Sequence, residues 1–155
     1  MVSASAQKNQ PQVVVLDTNI VLDVWLYQDP ATPALLQALV QKSVRWLATQ
    51  IMRDELERVL TYAHIVKRLE HGGLQAMHLL AQFDAHAVLM PIAPKAAYIC
   101  KDADDQKFID LAAQHQAVLV SKDKAVLTMR NRMARIGVAI GKCYPVNAVA
   151  AIAAK

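Results

Sequence analysis

Glycine and cysteine are both scarce in this chain, with four and two respectively in 155 residues. So few glycines argue against a loop-rich or disordered protein. Cys100 and Cys143 are too few for a disulfide scaffold and lack the spacing of metal ligands. They read as two small buried thiols in a reducing, cytoplasmic setting. No apolar run approaches the roughly 20 residues that span a bilayer, so no membrane partner is expected. The stretch Met1 to Gln12 is polar and has no signal-peptide core, and residues 1–11 read as a disordered leader. Neither a GxGxxG turn nor a P-loop is present, which excludes the common nucleotide-cofactor enzymes. The five histidines, His64, His71, His78, His86 and His115, show no HxxxH or HExxH spacing, and most read as helix-surface residues.

What remains is an apolar chain, 55% hydrophobic, with a formal charge of +4. Its length suits one domain, placed at residues 12–145, with 146–155 a tail or short helix. Val13-Val14-Val15-Leu16 is a β-branched run of the kind found in a strand buried on both faces. Further strands are expected at Val44–Ala48, Val88–Ile92, Ala117–Val120 and Val138–Ile140. Helices are expected between them. One begins near Pro33, one is capped by Thr49, one occupies Leu74–Phe83, one follows Asp102–Asp105, and a basic one covers Lys124–Arg135. Short apolar strands alternating with helices predict an α/β fold, a mostly parallel sheet sandwiched by helices.

Ligand sites in such sheets lie beyond the carboxyl ends of the strands. Asp17 ends the first strand and Asp123 follows the fourth. Glu55 lies on the helix after the second strand, on a side shared with apolar positions, where a carboxylate needs a partner or a metal. Asp102, Asp104 and Asp105 open the helix before the fourth strand. Converging carboxylates repel one another unless a cation neutralises them. An acid set without matching His or Cys points to a hard cation, Mg²⁺ or Mn²⁺. Each acid has a plainer reading as a helix cap or turn residue. Either Asp104 or Asp105 enters the site, and Asp102 supports it or is simply exposed. Asn19 argues against a haloacid-dehalogenase-type phosphatase, which needs a second Asp at that position.

From Lys101 to Lys155 there are nine Lys or Arg against five acids, a bias that suits a phosphate chain or an ordinary solvated surface. Arg130, Arg132 and Arg135 fit the same two readings. Trp25, Tyr27 and Trp46 are candidates for stacking on bases or for packing in the core.

Four segments in order resemble the motifs of PIN domains. They are Val13-Val-Val-Leu-Asp17-Thr-Asn19, Asp54-Glu55-Leu56-Glu-Arg-Val-Leu, Asp102-Ala-Asp104-Asp105-Gln-Lys-Phe-Ile-Asp-Leu-Ala, and Leu119-Val-Ser121-Lys-Asp123-Lys. The similarity is to the toxin branch of toxin–antitoxin systems, the VapC-like branch, over about residues 12–145. It implies a three-layer α/β/α sandwich with a parallel sheet of about five strands, and metal-dependent cleavage of single-stranded RNA. It also implies Asp17, Glu55, Asp104 or Asp105, and Asp123 as catalytic metal acids, with Thr18, Asn19, Ser121 and Asp102 supporting them. Lys101, Lys122 and Lys124 are expected to contact RNA phosphates. An antitoxin protein and a second copy of the chain are the expected partners. The chain departs from the family pattern at Lys122, where a small residue is common. A PIN-fold module that binds RNA or protein without cutting is the alternative.

Overall fold

The computed structural model describes residues 10–146, so the expected leader and tail fall almost wholly outside the described residues. Five parallel strands form one sheet in the order β3-β2-β1-β4-β5. They are β1 (Gln12–Leu16), β2 (Val44–Ala48), β3 (Ala87–Leu89), β4 (Val118–Val120) and β5 (Ile140–Gly141). Val14 and Val15 are adjacent and both have 0% exposure. Successive strand residues face opposite ways, so both faces of the sheet are covered by helices.

The helices are α1 (Thr18–Trp25), α2 (Pro33–Val40), α3 (Gln50–Val59), α4 (Ala63–His71), α5 (Ala76–His86), α6 (Gln106–His115), α7 (Lys124–Leu127) and α8 (Arg130–Ala134). A 3₁₀ turn, Ala103–Asp105, precedes α6. Pro33 occupies the first turn of α2, where its missing N–H costs nothing. Thr49 Oγ1 accepts from Met52 N at 3.4 Å and caps α3. α1 is buried along nearly its whole length, including one acid, Asp23.

Several expectations shift. The third strand stops at Leu89 rather than Ile92, because Pro91 has no N–H to offer the sheet. The fifth strand begins at Ile140, two residues later than expected. The basic helix is two short helices separated at Thr128–Met129. Cys143 is exposed, whereas Cys100 is buried as expected. His86 is half-buried and stacks on Trp25 with ring centroids 5.8 Å apart, an exception among the histidines. Trp25 also stacks on Trp46, which meets Phe83 edge to face at 4.9 Å. Both tryptophans therefore belong to the packing, and Tyr27 alone of the three candidates stays open, 40% exposed.

Strand order reverses at β1: the chain goes from β1 to β2 on one side and returns to β4 on the other. The crevice beyond the carboxyl ends of β1 and β4 is where such a sheet places a ligand.

Candidate metal centre

Asp17 follows β1 directly, and its backbone N donates to Val120 O at 3.0 Å, which ties it to the end of β4. Ser121 Oγ donates to Asp17 Oδ2 at 2.6 Å and accepts from Asp123 N at 3.1 Å. One buried hydroxyl thus fixes two acidic loops against each other. Asp17 also accepts from Asn19 N at 3.3 Å, as the cap of α1. Asp123 caps α7 by accepting from Ala125 N at 2.8 Å. The cap leaves one Asp123 oxygen free for a ligand, whereas both Asp17 oxygens accept hydrogen bonds, one from Asn19 and one from Ser121.

The 3₁₀ turn sorts the three neighbouring aspartates. Asp102 Oδ1 accepts from Asp104 N at 2.9 Å and caps the turn. Residues three apart eclipse in a 3₁₀ helix, so Asp102 and Asp105 lie on one side and Asp104 turns out to solvent. Oxygens of Asp102, Asp105 and Asp123 lie within 4.8 Å of one another. Asp105 is the buried member, and its Oδ2 has no hydrogen-bond partner among the described residues. Burial and the facing charges of Asp17, Asp123 and Asp102 push its carboxyl up to about 7, against a smaller opposing effect of Lys107. Burial likewise raises Asp17, with Asp123 and Glu55 adding to it, while the bonds from Ser121 and Asn19 pull the other way.

Glu55 meets the centre from α3. One oxygen accepts from the Thr18 hydroxyl, and the other from Lys107 Nζ at 2.7 Å. Lys107 also donates to the Asp104 carbonyl. Sequence reasoning missed this lysine, although a signal was available. A cation in the first turn of a helix opposes the dipole, so its presence there implies a carboxylate to hold it. Gln106 was missed as well. Its side chain accepts from Cys100 N at 2.6 Å and donates to Tyr98 O at 3.2 Å and Asp110 Oδ1 at 2.8 Å. It latches the loop that carries the aspartates onto α6.

The three lysines expected at phosphates divide. Lys101 and Lys124 are exposed. Lys122 is paired with buried Asp23 at 2.6 Å and reaches Asp29 at 4.0 Å, so its charge is already matched. That pairing also explains how Asp23 is tolerated inside α1, and why a lysine stands where the motif has a small residue.

Clustered carboxylates at the switch point of a five-stranded parallel sheet form the arrangement expected of PIN domains, and the model of that family, described as PIN domain, matches residues 13–125. The chain belongs to the PIN-domain family. A relative from Methanocaldococcus jannaschii, the uncharacterized protein MJ1680, is 24% identical over 120 residues, covering 76% of this chain and 75% of its own length. PIN domains are in general metal-dependent nucleases, and this PIN domain carries an acidic cluster of the matching kind. The residues fit a divalent cation on their own chemistry. An unpartnered buried oxygen on Asp105 beside other carboxylates is costly without a positive charge, and an all-oxygen donor set suits a hard ion. Asp102, Asp105 and Asp123 would hold it, and Asp17, outside that group, faces Asp105 and Asp123 from the end of β1. Among the described residues no helix is long and apolar enough to cross a membrane.

Proposed function

We propose that this PIN domain is a Mg²⁺- or Mn²⁺-dependent endoribonuclease acting on single-stranded RNA. The observation that carries the reading is the Asp105 carboxylate, buried, unpartnered at Oδ2 and faced by Asp17, Asp123 and Asp102. A divalent ion bound there supplies charge neutralisation at the phosphodiester and lowers the pKa of water. The protein's own part is positional. Ser121 orients Asp17, Thr18 and Lys107 orient Glu55, and Asp123 is fixed by its place at the head of α7. Lys101 and Lys124 are available to neighbouring phosphates. Water attacks phosphorus in line, the bond from phosphorus to the 3′ oxygen breaks, and the ends are a 5′-phosphate and a 3′-hydroxyl.

The order of motifs supports reading the chain as the toxin of a toxin–antitoxin pair, with an antitoxin protein and a second copy as partners. Two free thiols among the described residues suit the cytoplasm. Growth arrest on induction, relieved by co-expression of a gene adjacent to its own, tests the toxin role.

Incubation with a panel of defined RNAs, in Mn²⁺ and in chelator, followed by mapping of the cut ends, tests the nuclease. Cutting is expected with Mn²⁺ alone, and Asp17→Asn should lower it by about a hundredfold or more while circular dichroism shows an intact fold. Full activity in chelator, or in folded Asp17→Asn, overturns the reading. A wild-type chain that binds no Mn²⁺ identifies a non-cutting PIN module instead.

A further inference from the structure

An open groove of about 410 Å³ lies between α1, the end of α3 and the start of α4. Its floor is apolar: Leu22 and Ile65 are 3% and 2% exposed. Its rim is aromatic. Tyr27, Tyr62 and His64 line it and are exposed, with the Tyr62 and His64 rings 6.3 Å apart. These rings face outward in a chain whose tryptophans are turned inward against each other, so core packing does not account for them.

None of the clustered acids lines the groove, but two of its lining residues are their neighbours in sequence. Asn19, exposed and one residue from Thr18, lines it, and Lys122 lines it from between Ser121 and Asp123. The groove therefore takes one residue from the start of α1, just after Asp17, and one from the turn that carries Asp123. Its charge is balanced, because Asp23, the carboxylate in its lining, is paired with Lys122 at 2.6 Å. The Arg68 guanidinium lies over one face of the Tyr27 ring, 5.8 Å from its centroid, so a base would stack on the other face with a cation across the ring from it. Aromatic faces, an amide beside the acids and no net negative charge match an unpaired nucleobase with its phosphate. A base inside a duplex is stacked on its neighbours and could not enter.

We propose that this groove is a base-binding subsite, in which Tyr27 and Tyr62 stack an unpaired base of the RNA next to the scissile phosphate and Asn19 meets the base edge. The proposal rests on the nuclease reading and adds to it the reason for preferring single strands.

The test uses the full chain carrying Asp17→Asn to prevent cleavage, in Mn²⁺, with a fluorescent single-stranded RNA of ~10 nucleotides. Tyr27→Ala with Tyr62→Ala should weaken binding on the order of tenfold or more, and Phe at both positions should retain it. In the cleaving parent the alanine pair should raise KM far more than it lowers kcat. In that parent the Mn²⁺-induced rise in Tm should be the same with and without the alanine pair, which certifies a folded acid centre. Tyr62→Ser alone, at an exposed position, guards against unfolding and should give a smaller loss of the same kind. Unchanged RNA affinity with the Mn²⁺ response intact overturns the subsite and leaves the nuclease standing. Unchanged affinity together with loss of a dimer in sedimentation assigns the groove to a second copy and also overturns it. A parent that neither binds nor cuts RNA removes the nuclease reading, and the subsite with it.

Discussion

Asp105 shows how one side chain can be unfavourable for the fold and suited to the site. Its carboxyl lies at about 7 instead of the ordinary 3.8, first through burial and then through the neighbouring acids. A carboxyl raised in the folded state favours folding when protonated. Its contribution is full below about 3.8 and is lost as pH rises through about 7. Asp105→Asn removes the charge and keeps the shape. In chelator at pH 8 the variant should therefore melt above the parent, and the gap should narrow as pH is lowered towards 4. An equal or lower Tm for the variant at pH 8 would falsify this account of the centre. The choice of Asp105 over Asp104 could not be read from the sequence, where both sit at a helix start. The 3₁₀ turn groups Asp105 with Asp102 and Asp123 and leaves Asp104 exposed, which favours Asp105.

Between elements, the ion pair of Lys107 with Glu55 pins α6 to α3 across 52 residues of sequence. Neither side chain is fully buried, at 20% and 16% exposed, so the pair is worth less than a core ion pair but more than a surface one. Lys107→Met leaves the Glu55 carboxylate facing Asp17 without its cation. The expected cost is about 1–2 kcal/mol, a fall in Tm of roughly 2–8 °C for a domain of this size. Glu55→Gln in the same chain should recover most of it, and additive losses in that double-mutant cycle would show that the pair is not coupled. Long-range pairs of this kind mark where reading the sequence stopped. β1 was legible because its run of apolar residues has a single interpretation, and Thr49 because a cap lies next to what it caps. The partners of Lys107 and Lys122 lie far along the chain, and only the parallel sheet brings them together. The split of the expected basic helix at Thr128–Met129 has no comparable signal in the sequence.

At the scale of the whole molecule, a chain with net charge +4 concentrates Asp17, Asp102, Asp105 and Asp123 at the carboxyl ends of β1 and β4. The metal-free fold holds repelling charges at its most constrained point, so a cation that binds only the folded state should stabilise it strongly. At a hundred times its Kd the ion adds about 2.7 kcal/mol, or roughly 5–11 °C in Tm at this chain length. The increment should depend on pH in the opposite sense to the metal-free Tm. Below about 7 a proton occupies Asp105 and must leave before the ion binds. The metal-loaded and metal-free melting curves should therefore converge as pH falls from 8 to 5, even as the metal-free Tm gains the part of its stability that Asp105 controls. Differential scanning fluorimetry across that range, with Mn²⁺ and with chelator, measures both at once. A Mn²⁺ increment that does not change with pH would place the ion away from Asp105, and one that survives Asp123→Asn undiminished would place it outside the acidic centre altogether.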